Sequence, residues 1–190
     1  VTIELGVRIV EGLTPEASLE GGLSPQAFKL AFRNHPAGVA VITADAGAGP
    51  AALTATSVFS ISAEPPLLVF SLSATSSAAP TIVAADTVVV HLLGTAQIEL
   101  ARLCAASGVD RFADTTRWGR LESGEPCFHG VPAWIRGRIV GRFEAGASTV
   151  VVVHALDAKT PADAGAEAVR PLVYHNREWH GLSDWSRLPS

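Results

Sequence analysis

Methionine is absent from the 190 residues, tyrosine occurs once and cysteine only twice. Cys104 and Cys127 share no Cys-x-x-Cys spacing, so the sequence predicts neither a zinc site nor a disulfide scaffold, and each thiol reads as a small buried hydrophobe in a reducing cytoplasm. Charge is also scarce, at 17% of residues, with a net charge of -4 and a pI near 5.8. The 14 Lys and Arg residues are scattered, which excludes the clustered cations that nucleic acid demands. No apolar run approaches the roughly 20 residues of a membrane span, and the N-terminus lacks a basic stretch followed by an apolar one, so the chain reads as soluble. Val1 in place of methionine reads as a removed initiator or an upstream start. His35, His91, His129, His154, His175 and His180 are isolated from one another, so no metal site is predicted. No Gly-x-Ser-x-Gly, His-Glu-x-x-His or Gly-x-Gly-x-x-Gly occurs, which removes the best support for a hydrolase, a metalloprotease or a Rossmann dinucleotide fold.

Apolar residues, by contrast, make up 48% of the chain, with a mean hydropathy of +0.31. That is enough for one sizeable core, and the length favours a single domain over residues 23–190 behind an N-terminal arm over 1–22. Apolar surface of this kind must be buried or shared with a partner, and homodimerisation is its usual outlet.

Ser24-Pro25 supplies a helix start, and Phe28, Ala31 and Phe32 mark a buried face that ends near Asn34 or His35, before Pro36. Strands are predicted over 39–44, 51–55, 58–62 and 67–73, with Pro65-Pro66 separating the last two. A short helix over 81–85 and a valine-rich strand over 87–93 follow, then a helix opening at Gly94-Thr95 and ending by Gly108. Residues 109–131 read as a functional loop, 133–143 and 149–156 as a long hairpin, 157–170 as an excursion and 171–175 as a last strand. Many short strands without βαβ alternation predict a mainly β fold with short helices, closed as an antiparallel barrel.

One band is rich in hydroxyls and poor in charge: Thr54, Thr56, Ser57, Ser60 and Ser62, then Ser71, Ser73, Thr75, Ser76 and Ser77. Such side chains beside backbone N–H groups suit a phosphate or the polar edge of a flat heterocycle, because they donate hydrogen bonds without filling the pocket. Composition alone equally describes a threonine-rich strand followed by a Ser/Ala loop.

The order of residues is more specific. The phrases Gly38-Val-Ala-Val-Ile-Thr43, Leu53-Thr-Ala-Thr-Ser57, Ser60-Ile-Ser-Ala-Glu-Pro-Pro66 and Leu67-Leu-Val-Phe-Ser-Leu72 closely resemble the flavin reductase-like, FMN-binding split-barrel family. Gln97 with Leu100-Ala101, Arg111-Phe112, Gly124-Glu-Pro126 and Pro171-Leu-Val-Tyr-His175 extend the resemblance over about residues 25–182.

The resemblance implies a homodimer of six-stranded antiparallel Greek-key split barrels that reduces FMN or FAD with NADH or NADPH. Reduced flavin would diffuse to a partner monooxygenase. Leu53, Thr54, Ala55, Thr56 and Ser57 would line the isoalloxazine edge. Ser71 with Thr75, Ser76 and Ser77 would hold the ribityl chain and phosphate, and Arg111 and Phe112 would sit on a loop that approaches the flavin or the nicotinamide, from the same or the neighbouring subunit. No side chain need make or break bonds, since hydride transfer depends on positioning. His91 stands where the family usually has Asn, and Gly146-Ala147-Ser148 stands where it commonly has Gly-Asp-His, which places His91 and Ser148 on the expected nicotinamide side, although His91 also reads as a core or interface histidine whose nitrogens find backbone partners. These departures leave open an alternative: a flavin-binding or flavin-carrier protein with little or no NAD(P)H oxidation. An oxidase or haem-binding relative would need a basic cluster or a haem-ligating histidine, and neither stands out in the sequence.

Overall fold

The structure, a computed structural model, describes residues 21–160 and 169–189. The chain runs α1 (Pro25–Phe32), β1 (Ala37–Gly38), β2 (Ala40–Asp45), β3 (Pro50–Ala55), β4 (Phe59–Ala63), β5 (Pro66–Ser73), α2 (Ala79–Ala84) and β6 (Thr87–Leu92). It continues through α3 (Ile98–Ala105), β7 (Trp118–Arg120), β8 (Pro126–Phe128), β9 (Ala133–Ala145), β10 (Ser148–Lys159), β11 (Leu172–His175) and β12 (Glu178–Gly181). Among the described residues no helix is long and apolar enough to cross a membrane.

Seven strands form the main antiparallel sheet in the order β3-β2-β6-β9-β10-β5-β4, one more than the six expected. The sheet curls until the end of β3 meets β5. There the Ser57 hydroxyl accepts from the Ser71 N–H at 2.9 Å and donates to the Ser71 carbonyl at 3.2 Å. Smaller sheets, β1-β11-β12 and β7-β8, lie against it.

Alternation along β2 divides the core into two layers. Ala40, Ile42 and Ala44 face the barrel interior with Phe70, Ile82, Val90 and Val151, while Val39 and Val41 pack outside against Leu100, Ala101, Phe128 and Leu172. Each large side chain buried in this way contributes about 1.5–3 kcal/mol, so β2, apolar on both faces, anchors the domain. The turn into β3 is held by Asp45, whose Oδ1 accepts from the N–H groups of Gly47 (2.8 Å) and Gly49 (3.2 Å).

Gly137 in β9 is where β9 and β10 approach too closely for a side chain. A Cβ there would stand 2.3 Å from Val153 Cγ1 and 2.7 Å from the His154 carbonyl oxygen, and the carbonyl belongs to the ladder and cannot swing aside. Gly137→Ala is expected to destabilise the fold by roughly 1–3 kcal/mol through overpacking, read as a lower urea midpoint. An unchanged midpoint would show that the two strands part easily here.

Several sequence expectations need correction. Helix α1 begins as expected, with Ser24 Oγ accepting from the Ala27 N–H at 3.2 Å, but none of its residues is buried. Phe28 and Phe32 remain 54% and 58% exposed and lie tilted against each other along a groove, because the helix borders the barrel rather than covering it. The expected loop over 109–131 contains the β7-β8 hairpin, whose Pro126, Cys127 and Phe128 are buried against the sheet. Strand β10 continues to Lys159, and β12 follows a turn through Asn176 and Arg177 that carries φ of 50° and 68° without glycine. The arm expected over 1–22 lies outside the described residues except for Gly21 and Gly22, as does the excursion between 161 and 168.

Candidate functional site

Two segments distant in sequence meet at the seam where β3 closes on β5. Leu53, Thr54, Ala55, Thr56 and Ser57 form one wall of a groove of about 540 Å³, and Ser71, Thr75, Ser76 and Ser77 form the other. The end of α3 and the residues after it close the third side.

Among the described residues, Arg111 is the only charged side chain lining this groove. Its Nε donates to the Cys104 carbonyl (3.2 Å) and its Nη2 to the Ala106 carbonyl (2.8 Å), capping the last turn of α3 where the helix dipole is negative. The remaining Nη1 donates to Ser77 Oγ at 3.3 Å, tying the cation to the hydroxyl loop. That loop is organised by its own hydroxyls: Ser73 Oγ lies 2.9 Å from Thr75 Oγ1, and Ser76 Oγ accepts from the Ala78 N–H at 3.3 Å. Thr54 Oγ1 donates to the Ala101 carbonyl at 2.6 Å, which fixes α3 to β3 and leaves only lone pairs for a ligand.

Ten of the eleven residues expected to hold a flavin thus line one groove. Phe112 does not. Its ring is buried, stacked on Phe128 (5.3 Å between centroids, 17° between planes) and edge-on to Trp118 at 4.9 Å. The Trp118 indole donates to the Phe112 carbonyl at 2.9 Å, so this aromatic cluster holds the loop bearing Arg111 in place from behind.

The structure also keeps His91 out of the groove. It is fully buried, with Nδ1 at 3.0 Å from the Val41 carbonyl and Nε2 accepting from the Phe128 N–H at 3.0 Å, which fixes the neutral Nδ1–H form. Burial pulls its pKa from 6.5 down to about 4 against the opposing backbone bonds to Val41 and Val89. The ring joins β2 and β6 to β8. Ser148 pairs with Ser73 in the β10–β5 ladder, and the neighbouring Ala147 carbonyl accepts from the Ala74 N–H at 3.0 Å, so this turn supports the hydroxyl loop.

Sequence reasoning missed Ser107, Gly108, Ala105 and Cys104 as groove residues. Their signal is positional: they stand just after the last apolar turn of α3, and only its docking through Thr54 brings them to the seam. Burial pushes the Cys104 thiol up to about 12 despite the charges of Arg111 and Arg117, so it stays protonated and serves as wall.

The groove fits a flavin. Its volume lies within the range of small-molecule sites, hydroxyls dominate two walls, and among the described residues its single cation stands at the hydroxyl loop and no carboxylate lines it to repel a phosphate. Comparison with known proteins agrees with this chemistry. The model of the flavin reductase like domain matches residues 32–183. The chain belongs to the flavin reductase like family. Within that family, an NADH:FMN oxidoreductase of Rhodococcus erythropolis is 41% identical over 168 residues, covering 88% of this chain and 85% of that protein. A flavin reductase domain protein from Arthrobacter sp. FB24 superposes with a TM-score of 0.76 at 34% identity, covering 83% of this chain and 95% of its own. BorF, the flavin reductase component of a bacterial two-component tryptophan halogenase, superposes at 0.74 with 26% identity over 85% of this chain and 99% of its own.

Proposed function

We propose that the protein is a flavin:NAD(P)H oxidoreductase that reduces FMN or FAD with NADH or NADPH and releases the reduced flavin to an oxygenase partner. The observation that carries this reading is the convergence of Leu53–Ser57, the 71–77 segment and Arg111 on one groove, in a chain of the flavin reductase like family. The relatives named as an NADH:FMN oxidoreductase and as a reductase component support the substrates and the kind of partner.

A flavin, when bound, supplies the chemistry by accepting a hydride from the nicotinamide. The chain's residues bind and orient. Arg111 and Ser77 would hold the phosphate, Ser71, Thr75 and Ser76 would hold the ribityl hydroxyls, and Leu53–Ser57 would flank the ring edge with backbone groups and small side chains. The hydrogen-bonded backs of Thr54 and Arg111 hold this geometry before the ligand arrives. The active unit is a homodimer of the 23–190 domain, acting in the cytoplasm. The exposed apolar side chains Phe28, Phe32, Phe59 and Ile61 support pairing, and the free thiols of Cys104 and Cys127 fit a reducing compartment.

Titrating FMN against the protein by flavin fluorescence, then following loss of nicotinamide absorbance under air, tests the reading. Saturable binding with turnover well above a protein-free control is expected. Binding without turnover would make the protein a flavin carrier instead.

A further inference from the structure

Arg111 enters the flavin groove from a loop that is held by side chains standing outside the groove. The backbone just after the cation is pinned twice. The Asp110 carboxylate accepts from the Phe112 N–H at 2.9 Å, and the Phe112 carbonyl accepts from the Trp118 indole, also at 2.9 Å. The Phe112 ring lies nearly parallel to Phe128 of β8, with 5.3 Å between centroids. Where Phe128 sits therefore sets where the Arg111 loop sits.

Strand β8 pairs with β7 and stands apart from the main sheet, and two side chains of that sheet bond its backbone. The Thr43 hydroxyl of β2 donates to the Pro126 carbonyl, and His91 Nε2 of β6 accepts from the Phe128 N–H at 3.0 Å. His91 makes its bond as a bridge. Its Nδ1–H donates to the Val41 carbonyl at 3.0 Å, the acceptor lies across the same rigid ring, and the ring meets Phe128 edge-on at 5.8 Å. A buried polar group left without its partner costs more than the bond itself contributes, so the imidazole is held in this pose.

We propose that His91 and Trp118 are positioning residues for the flavin phosphate: acting through Phe128 and Phe112, they set Arg111 beside Ser77 where the phosphate would lie. This rests on the flavin reading of the groove. It gives His91 a part at the phosphate end, exerted through a chain of contacts, in place of a contact on the nicotinamide side. Histidine suits the position because one ring spans two backbone groups of different elements. Asparagine, usual here in the family, has an amide that can replace Nδ1 but is too short to meet the Phe128 N–H. The longer glutamine brings an acceptor to the place of Nε2. Thr43 still holds Pro126 in either variant, so β8 stays on the sheet while its Phe128 end is freed or kept.

The test compares FMN with riboflavin, which carries the same ring and ribityl chain and no phosphate, by fluorescence titration at neutral pH. The parent is expected to prefer FMN by about tenfold or more, as a charge-assisted phosphate contact predicts. In His91→Asn and in Trp118→Phe that preference is expected to fall about three- to tenfold with riboflavin binding unchanged, and in His91→Gln to be kept. Adding Arg111→Ala to His91→Asn should cost no FMN affinity beyond that of Arg111→Ala alone, since both act on one contact. A preference unchanged in a variant overturns the assignment for that residue, and a His91→Gln loss as large as that of His91→Asn overturns the route through Phe128. Equal losses for FMN and riboflavin reduce both side chains to general supports of the fold and overturn the proposal. A parent that binds FMN no more tightly than riboflavin instead overturns the phosphate site itself, and the proposal with it. Should His91→Asn fail to fold, Trp118→Phe carries the same readout, because it keeps a ring at a half-buried position and removes the indole donor.

Discussion

Arg111→Ala is expected to weaken FMN binding by roughly ten- to a hundredfold, the loss that removing a charge-assisted phosphate contact of about 1.5–3 kcal/mol produces. Among the described residues Arg111 is the groove's only charge, and none of the others lining it can replace a cation beside the hydroxyl loop. The substitution also leaves the Cys104 and Ala106 carbonyls without their guanidinium partner, so a modest fall in thermal midpoint should accompany it. Arg111→Lys separates the two effects: it retains the charge but cannot bridge both carbonyls and Ser77 at once. Lysine should therefore recover part of the affinity and little of the stability. FMN binding by Arg111→Ala as tight as the parent's would remove the phosphate from this end of the groove.

Stability is expected to fall by about 3 kcal/mol as pH drops from 6.5 to about 4, because of His91 alone. In this interval the unfolded chain takes up a proton at the imidazole and the folded protein does not, so acid draws the equilibrium toward unfolding. Below about 4 both states are protonated and this contribution stops changing. Glu125 acts in a separate, more acidic window. Burial pushes its pKa up, but hydrogen bonds from Ser123, Thr87 and Arg136 outweigh burial and hold the carboxyl below its ordinary value. Its contribution is therefore complete above the ordinary carboxylate range and lost as pH falls through the lowered value. Urea unfolding of parent and His91→Gln across pH 4–7 distinguishes the groups: the variant should be less stable at neutral pH, yet lack most of the slope above pH 4. An equal slope in both would place the acid sensitivity elsewhere.

The strands were legible because β2, β5 and β6 carry their periodicity and apolar runs openly, and the Asp45–Pro50 turn announces itself by its glycines. That the serines and threonines at 54–57 and 71–77 share one groove was legible only through residue order, since composition also fits a solvated edge. The failures have physical causes. Strand β12 was missed because its turn uses Asn176 and Arg177 in a conformation that usually signals itself by glycine. Phe28 and Phe32 show a helical apolar face, but periodicity does not reveal whether that face meets a core or an open groove. Phe112 follows a groove residue in sequence yet turns its ring into the core, because a loop backbone can send successive side chains in opposite directions.

The most direct measurement is anaerobic mixing of the protein, FMN and NADH while following the visible absorbance of oxidised flavin. The structure predicts bleaching much faster than in a protein-free mixture, with Arg111→Ala requiring more FMN to reach the same rate. Bleaching no faster than in the protein-free mixture, at FMN concentrations that saturate the groove, would contradict the assignment of this groove as the place where flavin is reduced.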